Sequence, residues 1–253
     1  PEAYMFDTGK KQWERFAKWP ADNAQWKALR LQPGGKLALD GTVDPGSDAY
    51  VSDPAKPVPG RCVGPSIEGF TLYQYMSDDQ RCFSTRPDVL TYETEPLAED
   101  VTLGGEIRIK LKVATSGTDA DFVVKLVDVY PSNTPDHPYM PSKNIHLAGY
   151  QQMVRSEIMR GRWRDGFDAP KPMVPGKVTE IPLALQDVLH TFKKGHRIVV
   201  QVQSSMFPVF DRNPQKYVPN IFKADDADFI KATQTVYRNS SIEVQVLRSD
   251  VKP

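Results

Sequence analysis

Residues 105–113, GEIRIKLKV, alternate without a break: Ile107, Ile109, Leu111 and Val113 fall on one side, and Arg108, Lys110 and Lys112 on the other. A period of two places one face of a strand on a core and the other in water, whereas a helix would scatter the same four apolar residues around its axis. The pattern recurs at residues 3–6, 122–129, 198–202 and 242–246. Turn signals separate these runs, among them Pro33-Gly34-Gly35, Ser116-Gly117-Thr118, Pro175-Gly176-Lys177 and Lys194-Gly195-His196. Such punctuation predicts antiparallel β structure rather than βαβ units. The 22 prolines agree, because proline breaks helix interiors and collects at strand ends and loops.

Residues 105–131 read as a hairpin, two β-rich runs around one small polar turn. On the return run Val124, Leu126 and Val127 are nearly continuous, which predicts a strand covered on both faces. Helix signals are few. Residues 12–19, QWERFAKW, allow two turns before Pro20, and residues 225–232, DDADFIKA, allow a short helix with acidic residues near its positive end. Residues 151–163 lack a clean period and read as a strand. Residues 40–68 and 130–147 are dense in glycine, proline and polar residues. Irregular tracts of that length usually form functional edges or surfaces laid against another body. The chain is therefore expected to be all-β, with long irregular loops and few short helices.

Charge and hydropathy narrow the partners. Thirty-two basic side chains balance 32 acidic ones, so there is no net field to gather nucleic acid or anionic lipid. No apolar run approaches the ~20 residues that cross a bilayer, and the opening residues lack the order of a signal peptide. Cys62 and Cys82 are the only cysteines. Two unbonded thiols are the ordinary reading of so low a count, and one loop-closing disulfide is the alternative.

Catalytic patterns do not form. A nucleophile elbow needs glycines on both sides of the serine to allow its strained turn, and neither Ser66 in GPSIEG nor Ser116 in TSGTD has them. His190 and His196 have no HExxH spacing and read as structural or surface residues, as do His137 and His146. The acidic groups Asp78-Asp79, Asp119 with Asp121, and Asp225-Asp226-Asp228 have no EF-hand frame. Turn and cap roles account for them, and no metal site is expected. Two segments offer contact surfaces instead. In SSMFPVFDRNPQKYVPN, residues 204–220, Met206, Phe207 and Phe210 read as an exposed edge, while Asp211 and Arg212 read as satisfying loop backbone groups. In EGFTLYQYMSDDQR, residues 68–81, Phe70, Tyr73 and Tyr75 form an aromatic group that could pack in a core, line a pocket or stack on sugar rings.

The segments YVSDPAKPVP (50–59), DDQRCFSTRPDVLTYETEPLAEDV (78–101), SGTDADFVVKLVDVYP (116–131), GHRIVVQVQSSMFPVFDRNPQ (195–215) and VPNIF (218–222) resemble the C-terminal domain of the Xaa-Pro dipeptidyl-peptidase family of serine hydrolases. Within it they are most similar to α-amino-acid ester hydrolases, with cocaine esterase and glutaryl acylases more distant. The likeness runs in order over nearly the whole chain. It implies that residues 1–253 form a single C-terminal domain, a jelly-roll β-sandwich of the galactose-binding-like type. Such a domain follows an α/β-hydrolase domain that holds the Ser, Asp and His triad, so no catalytic residue and no cofactor is expected here. The partners implied are that N-terminal hydrolase domain and further copies of the chain, with no nucleic acid and no membrane, in a periplasmic or secreted parent. Leu72, Tyr73 and Tyr75 become candidates for the active-site rim or the interdomain contact, and Met206, Phe207 and Phe210 for an edge contact. An independent carbohydrate-binding module, stacking sugars on Tyr73 and Tyr75, is the alternative.

Overall fold

The computed structural model describes residues 1–62, 74–138 and 145–248. Its strands are β1 (Ala3–Asp7), β2 (Gln12–Phe16), β3 (Ala24–Gln32), β4 (Lys36–Leu39), β5 (Ser47–Ser52), β6 (Val89–Glu93), β7 (Val101–Thr115), β8 (Asp121–Val129), β9 (Gln151–Arg160), β10 (Thr179–Phe192), β11 (Arg197–Gln203) and β12 (Ala232–Leu247). Two one-turn helices, α1 (Gln74–Ser77) and α2 (Arg81–Ser84), lie between β5 and β6. The strands run in the order β10-β7-β12-β3-β4-β6-β11-β8-β9, with β5 also on β12. Nearly every pairing is antiparallel; a single parallel step, Lys36 with Glu93, joins β4 to β6. Because β3 gives residues 24–28 to β12 and residues 29–32 to β4, it passes from one layer to the other, and the expected all-β sandwich is found.

Alternation decides what lies between the layers. Ile107, Ile109, Leu111 and Val113 are each 2% exposed or less, while Arg108 and Lys110 face water. They meet Phe122, Val124 and Leu126 of β8 and Ile198, Val200 and Val202 of β11 in one core. Eight of the nine residues of β8 are buried, so the strand is covered on both faces as its apolar run predicts.

Four expectations need correction. β7 and β8 do not form a hairpin, since β7 pairs with β10 and β12 and β8 with β11 and β9. Their connection turns a corner between layers because distant backbone captures it: Thr118 N–H donates to Gln215 O at 3.0 Å, and Met173 N–H donates to Thr118 O at 2.8 Å. Residues 12–16 are strand, not helix, because β2 pairs with β1 in the register Phe6 to Trp13 and Tyr4 to Arg15; cross-strand stacking outweighs a weak helix preference. Residues 225–232 hold only a 3₁₀ turn at Asp226–Asp228, closed by reciprocal bonds of Asp225 and Asp228, before β12 begins. The tract 40–68 contains strand β5, whose Tyr50 is buried. The reading of 151–163 holds, as β9 followed by a 3₁₀ turn.

The β1–β2 hairpin stands outside the sandwich and is clasped to β10. Asp7 is fully buried and accepts from Gly9 N–H (2.9 Å), Lys10 N–H (2.8 Å), Thr191 N–H (3.0 Å) and Thr191 Oγ1 (2.6 Å). Burial pushes its carboxyl up, but the Thr191 hydroxyl and those backbone donors hold it below the ordinary value. Gly9 runs so close to β10 that a Cβ there would sit 1.9 Å from Thr191 O.

Candidate functional site

The outer face of β8 and β9 carries the only group of sequence-predicted contact residues that converge among the described residues. The segment holding α1 and α2 lies across it. Gln80 N–H donates to Gln151 O at 2.9 Å, Gln151 N–H to Asp79 Oδ1 at 3.2 Å, and Arg81 Nη1 to Ala148 O at 3.1 Å. The Tyr150 hydroxyl donates to Ser77 O. Thus Asp79, Gln80 and Arg81 fasten the cover to the start of β9.

Under the cover lies Lys125 of β8, fully buried. Its Nζ donates to Gln80 Oε1 at 3.0 Å and stands 3.9 Å from the centre of the Phe83 ring. Burial pulls the ammonium down to about 7. A carbonyl oxygen and a ring face compensate only part of the lost hydration. Cys62 and Cys82 are joined by a disulfide that ties α2 to the irregular segment after β5. This corrects the two-thiol reading. Spacing carried no information here, because the two cysteines meet only once Val58, Phe83 and Val89 have packed beside Cys62.

Beside the cover, Tyr75 packs into a small apolar cluster with Val123, Met153 and Met206, flanked by Ile158, Val209 and Phe210. The structure therefore brings together Tyr75, Met206 and Phe210 from opposite ends of the sequence. Leu72 and Tyr73, with Phe70, lie outside the described residues. Met206 is no exposed edge but a fully buried plug beneath Tyr75 and Phe210; the turn Phe210 N–H to Met206 O, 3.1 Å, drives its side chain inward. Phe207 does stand out, 40% exposed, with the Arg212 guanidinium 5.6 Å from its ring. Arg212 donates to Pro54 O at 2.8 Å, the loop-satisfying role expected. Past Phe210 the surface opens into a cleft of ≈ 420 Å³ lined by Ile158, Trp163, Phe167, Pro208, Val209 and Phe210 among others. Phe167 projects at its mouth, 78% exposed.

Charged residues near this face are committed to structure. Asp121 takes a two-point contact from Arg160, 2.9 Å to each oxygen, and Asn213 Nδ2 at 2.7 Å. Asp119 accepts from Arg162 Nε at 2.7 Å, and both are buried. These aspartates are thus buried ion-pair partners rather than turn or cap residues, a correction that no local spacing announces because the arginines arrive 39 and 43 residues later. Asp78 pairs with Arg61 and Asp79 with Arg81.

One constellation looks catalytic in outline. Asp128 accepts from His190 Nε2 at 3.1 Å and His196 Nδ1 at 2.8 Å, and Thr8 Oγ1 lies 2.7 Å from His190 Nδ1. His190 and Asp128 are 0% and 1% exposed, so no substrate reaches them. The set fastens the β1–β2 hairpin to the sandwich, a structural role as expected for both histidines. His146 contacts Asp136 on the surface. Among the described residues no three His, Cys, Asp or Glu side chains are grouped to hold a metal ion. What the β8–β9 face offers chemically is an apolar wall with a fixed aromatic edge.

Known proteins resemble this chain over most of its length. The chain is 31% identical over 225 residues to cocaine esterase of Rhodococcus sp. (strain MB1 Bresler), covering 84% of this chain and 35% of the esterase. Among solved structures it superposes on an aminopeptidase from a marine sediment Thaumarchaeota archaeon with a TM-score of 0.89 at 43% identity, covering 98% of this chain and 41% of that one. An α-amino acid ester hydrolase gives a TM-score of 0.85 at 41% identity, with 97% of this chain and 41% of that chain covered. The chain therefore spans about two fifths or less of each of these proteins. Residues 1–246 match the family described as X-Pro dipeptidyl-peptidase C-terminal non-catalytic domain, and the chain belongs to that family.

Proposed function

We propose that residues 1–253 form one C-terminal unit of a longer serine hydrolase that acts on esters or amides of α-amino acids or on Xaa-Pro peptides. The unit packs on the α/β-hydrolase domain, and its β8–β9 face shapes part of the active-site rim through Tyr75, with Leu72 and Tyr73 just before it. The observation that carries this reading is the apolar Tyr75–Phe210 wall and its cleft, on a chain that covers only 41% of an α-amino acid ester hydrolase. Chemistry in the parent follows acylation of a serine, with histidine as base and an oxyanion hole for the tetrahedral intermediate. None of those groups is assigned to this chain. The disulfide supports a periplasmic or secreted parent, since such bonds persist in oxidising compartments.

The test compares the full-length protein with residues 1–253 alone on an activated α-amino-acid ester and an Xaa-Pro peptide. Serine-dependent turnover by the full-length protein and none by residues 1–253 is expected; turnover by residues 1–253 would sink the reading. For the rim, Tyr75→Ala and Phe210→Ala in the full-length protein should shift KM or the preference among acyl groups severalfold. An unchanged substrate profile in both variants removes the rim role.

A further inference from the structure

The outer face of the β1–β2 hairpin carries rings that the sandwich does not use. Register pairs Tyr4 with Arg15 and Phe6 with Trp13, so these four side chains share one face, while Met5, Asp7 and Glu14 belong to the other. Tyr4, Phe6 and Trp13 are 55%, 40% and 58% exposed. They form one continuous patch, with Trp13 4.9 Å from Tyr4 and 5.4 Å from Phe6, and the Arg15 guanidinium 5.3 Å from the Tyr4 ring. A lone two-stranded sheet is marginal in water, yet this one is held from its other side and its turn. Asp7 binds Thr191, Thr8 N–H donates to Leu189 O at 3.2 Å, and Trp19 Nε1 donates to Asp187 Oδ2 at 2.6 Å. The clasp fixes the patch in orientation without spending any of its rings.

We infer that this patch is the docking surface for the α/β-hydrolase domain of the longer protein, an inference that rests on the function proposed above and names the surface through which it acts. Two observations choose the occupant. First, similar enzymes are covered over 41% of their length, which leaves about three fifths of such a protein to be accommodated, and aromatic clusters with a guanidinium are the side chains that anchor interfaces. Second, Arg15 is the charged member of the four side chains that the register sets on this face. The partner surface is therefore apolar, edged by carboxylates or backbone carbonyls that receive Arg15 and the Trp13 indole N–H.

The test is hydroxyl-radical footprinting of the full-length protein, read by mass spectrometry, alongside labelling of its serine nucleophile with a fluorophosphonate. Trp13 and Tyr4 should oxidise roughly 10-fold more slowly than their intrinsic reactivity and folded-state exposure in this chain imply. Trp26 and Phe222, 42% and 77% exposed, serve as references, and protection should persist on dilution. A labelled protein whose Trp13 oxidises at the rate of Trp26 overturns the docking inference and leaves the proposed function standing. Protection that disappears on dilution to monomer assigns the patch to a second copy and overturns it too. Failure of any serine to label removes the proposed function, and the hydrolase domain as occupant with it.

Discussion

At the scale of single residues, the polar groups that matter are buried ones whose partners arrive from far along the chain. Lys125 is the sharpest case. Its pKa falls from the usual lysine range, ~10.4, to about 7 on folding. Between those values the unfolded chain holds more protons than the folded one, so stability rises with pH across the window and is flat below it. Denaturant unfolding between pH 7 and 9.5 should show a positive slope approaching about 1.4 kcal/mol per pH unit, and Lys125→Met should flatten it. Above that window the trend reverses. Burial pushes the Tyr130 and Tyr150 hydroxyls up to about 12, so the unfolded chain ionises first and stability is lost as pH passes the ordinary tyrosine value. Asp7 acts at the acid end. Its lowered carboxyl contributes stability above the ordinary aspartate value and loses it as pH falls through its folded value. Gly9→Ala tests the same clasp, because its Cβ collides with Thr191 backbone. A loss of about 2 kcal/mol or more is expected on thermal unfolding.

At the scale of elements, legibility follows locality. Strand β7 could be read outright because a half-buried strand writes its inner and outer faces into alternate residues, and β8 because double burial removes the polar positions. Lys125 breaks that second run, and a lone lysine inside it was the available signal of a buried ammonium. The 105–131 hairpin could not be judged the same way. Nothing between Thr115 and Asp121 distinguishes a turn within one sheet from a corner between two; Gln215 and Met173 decide it from a distance. The same holds for the wall of the candidate site. Tyr75 and Phe210 were each recognisable as contact residues, but their meeting over a buried Met206 depends on the register of β8 and β9. The disulfide belongs to this scale, since it closes the span from residue 62 to 82 around the cover of β8. Cys62→Ser with Cys82→Ser, or reduction, should cost about 2–4 kcal/mol of stability by loop-closure entropy, read as a lower unfolding temperature. It should also raise the exchange rates of Gln80 and Phe83 amides more than those of β7.

At the scale of the whole molecule, one strand determines when the fold can exist. β12 lies between β7 and β3 and also receives β5, so three strands made early wait for a neighbour made last. Some 200 residues separate the end of β3 at Gln32 from the start of β12 at Ala232, and at ~5–20 residues per second synthesis takes roughly 10–40 s to cover them. Through that interval the edges of β3, β5 and β7 have unpaired backbone and an apolar inner face. The sandwich is thus assembled after synthesis has passed residue 247, and any domain encoded before residue 1 is already out of the ribosome by then. A nascent chain truncated before Ala232 should accordingly stay protease-sensitive throughout, while one carrying Leu247 clear of the exit tunnel becomes resistant in a single step. If the hydrolase domain proposed above is encoded first, the order of birth makes it the template available when the hairpin's rings come into position.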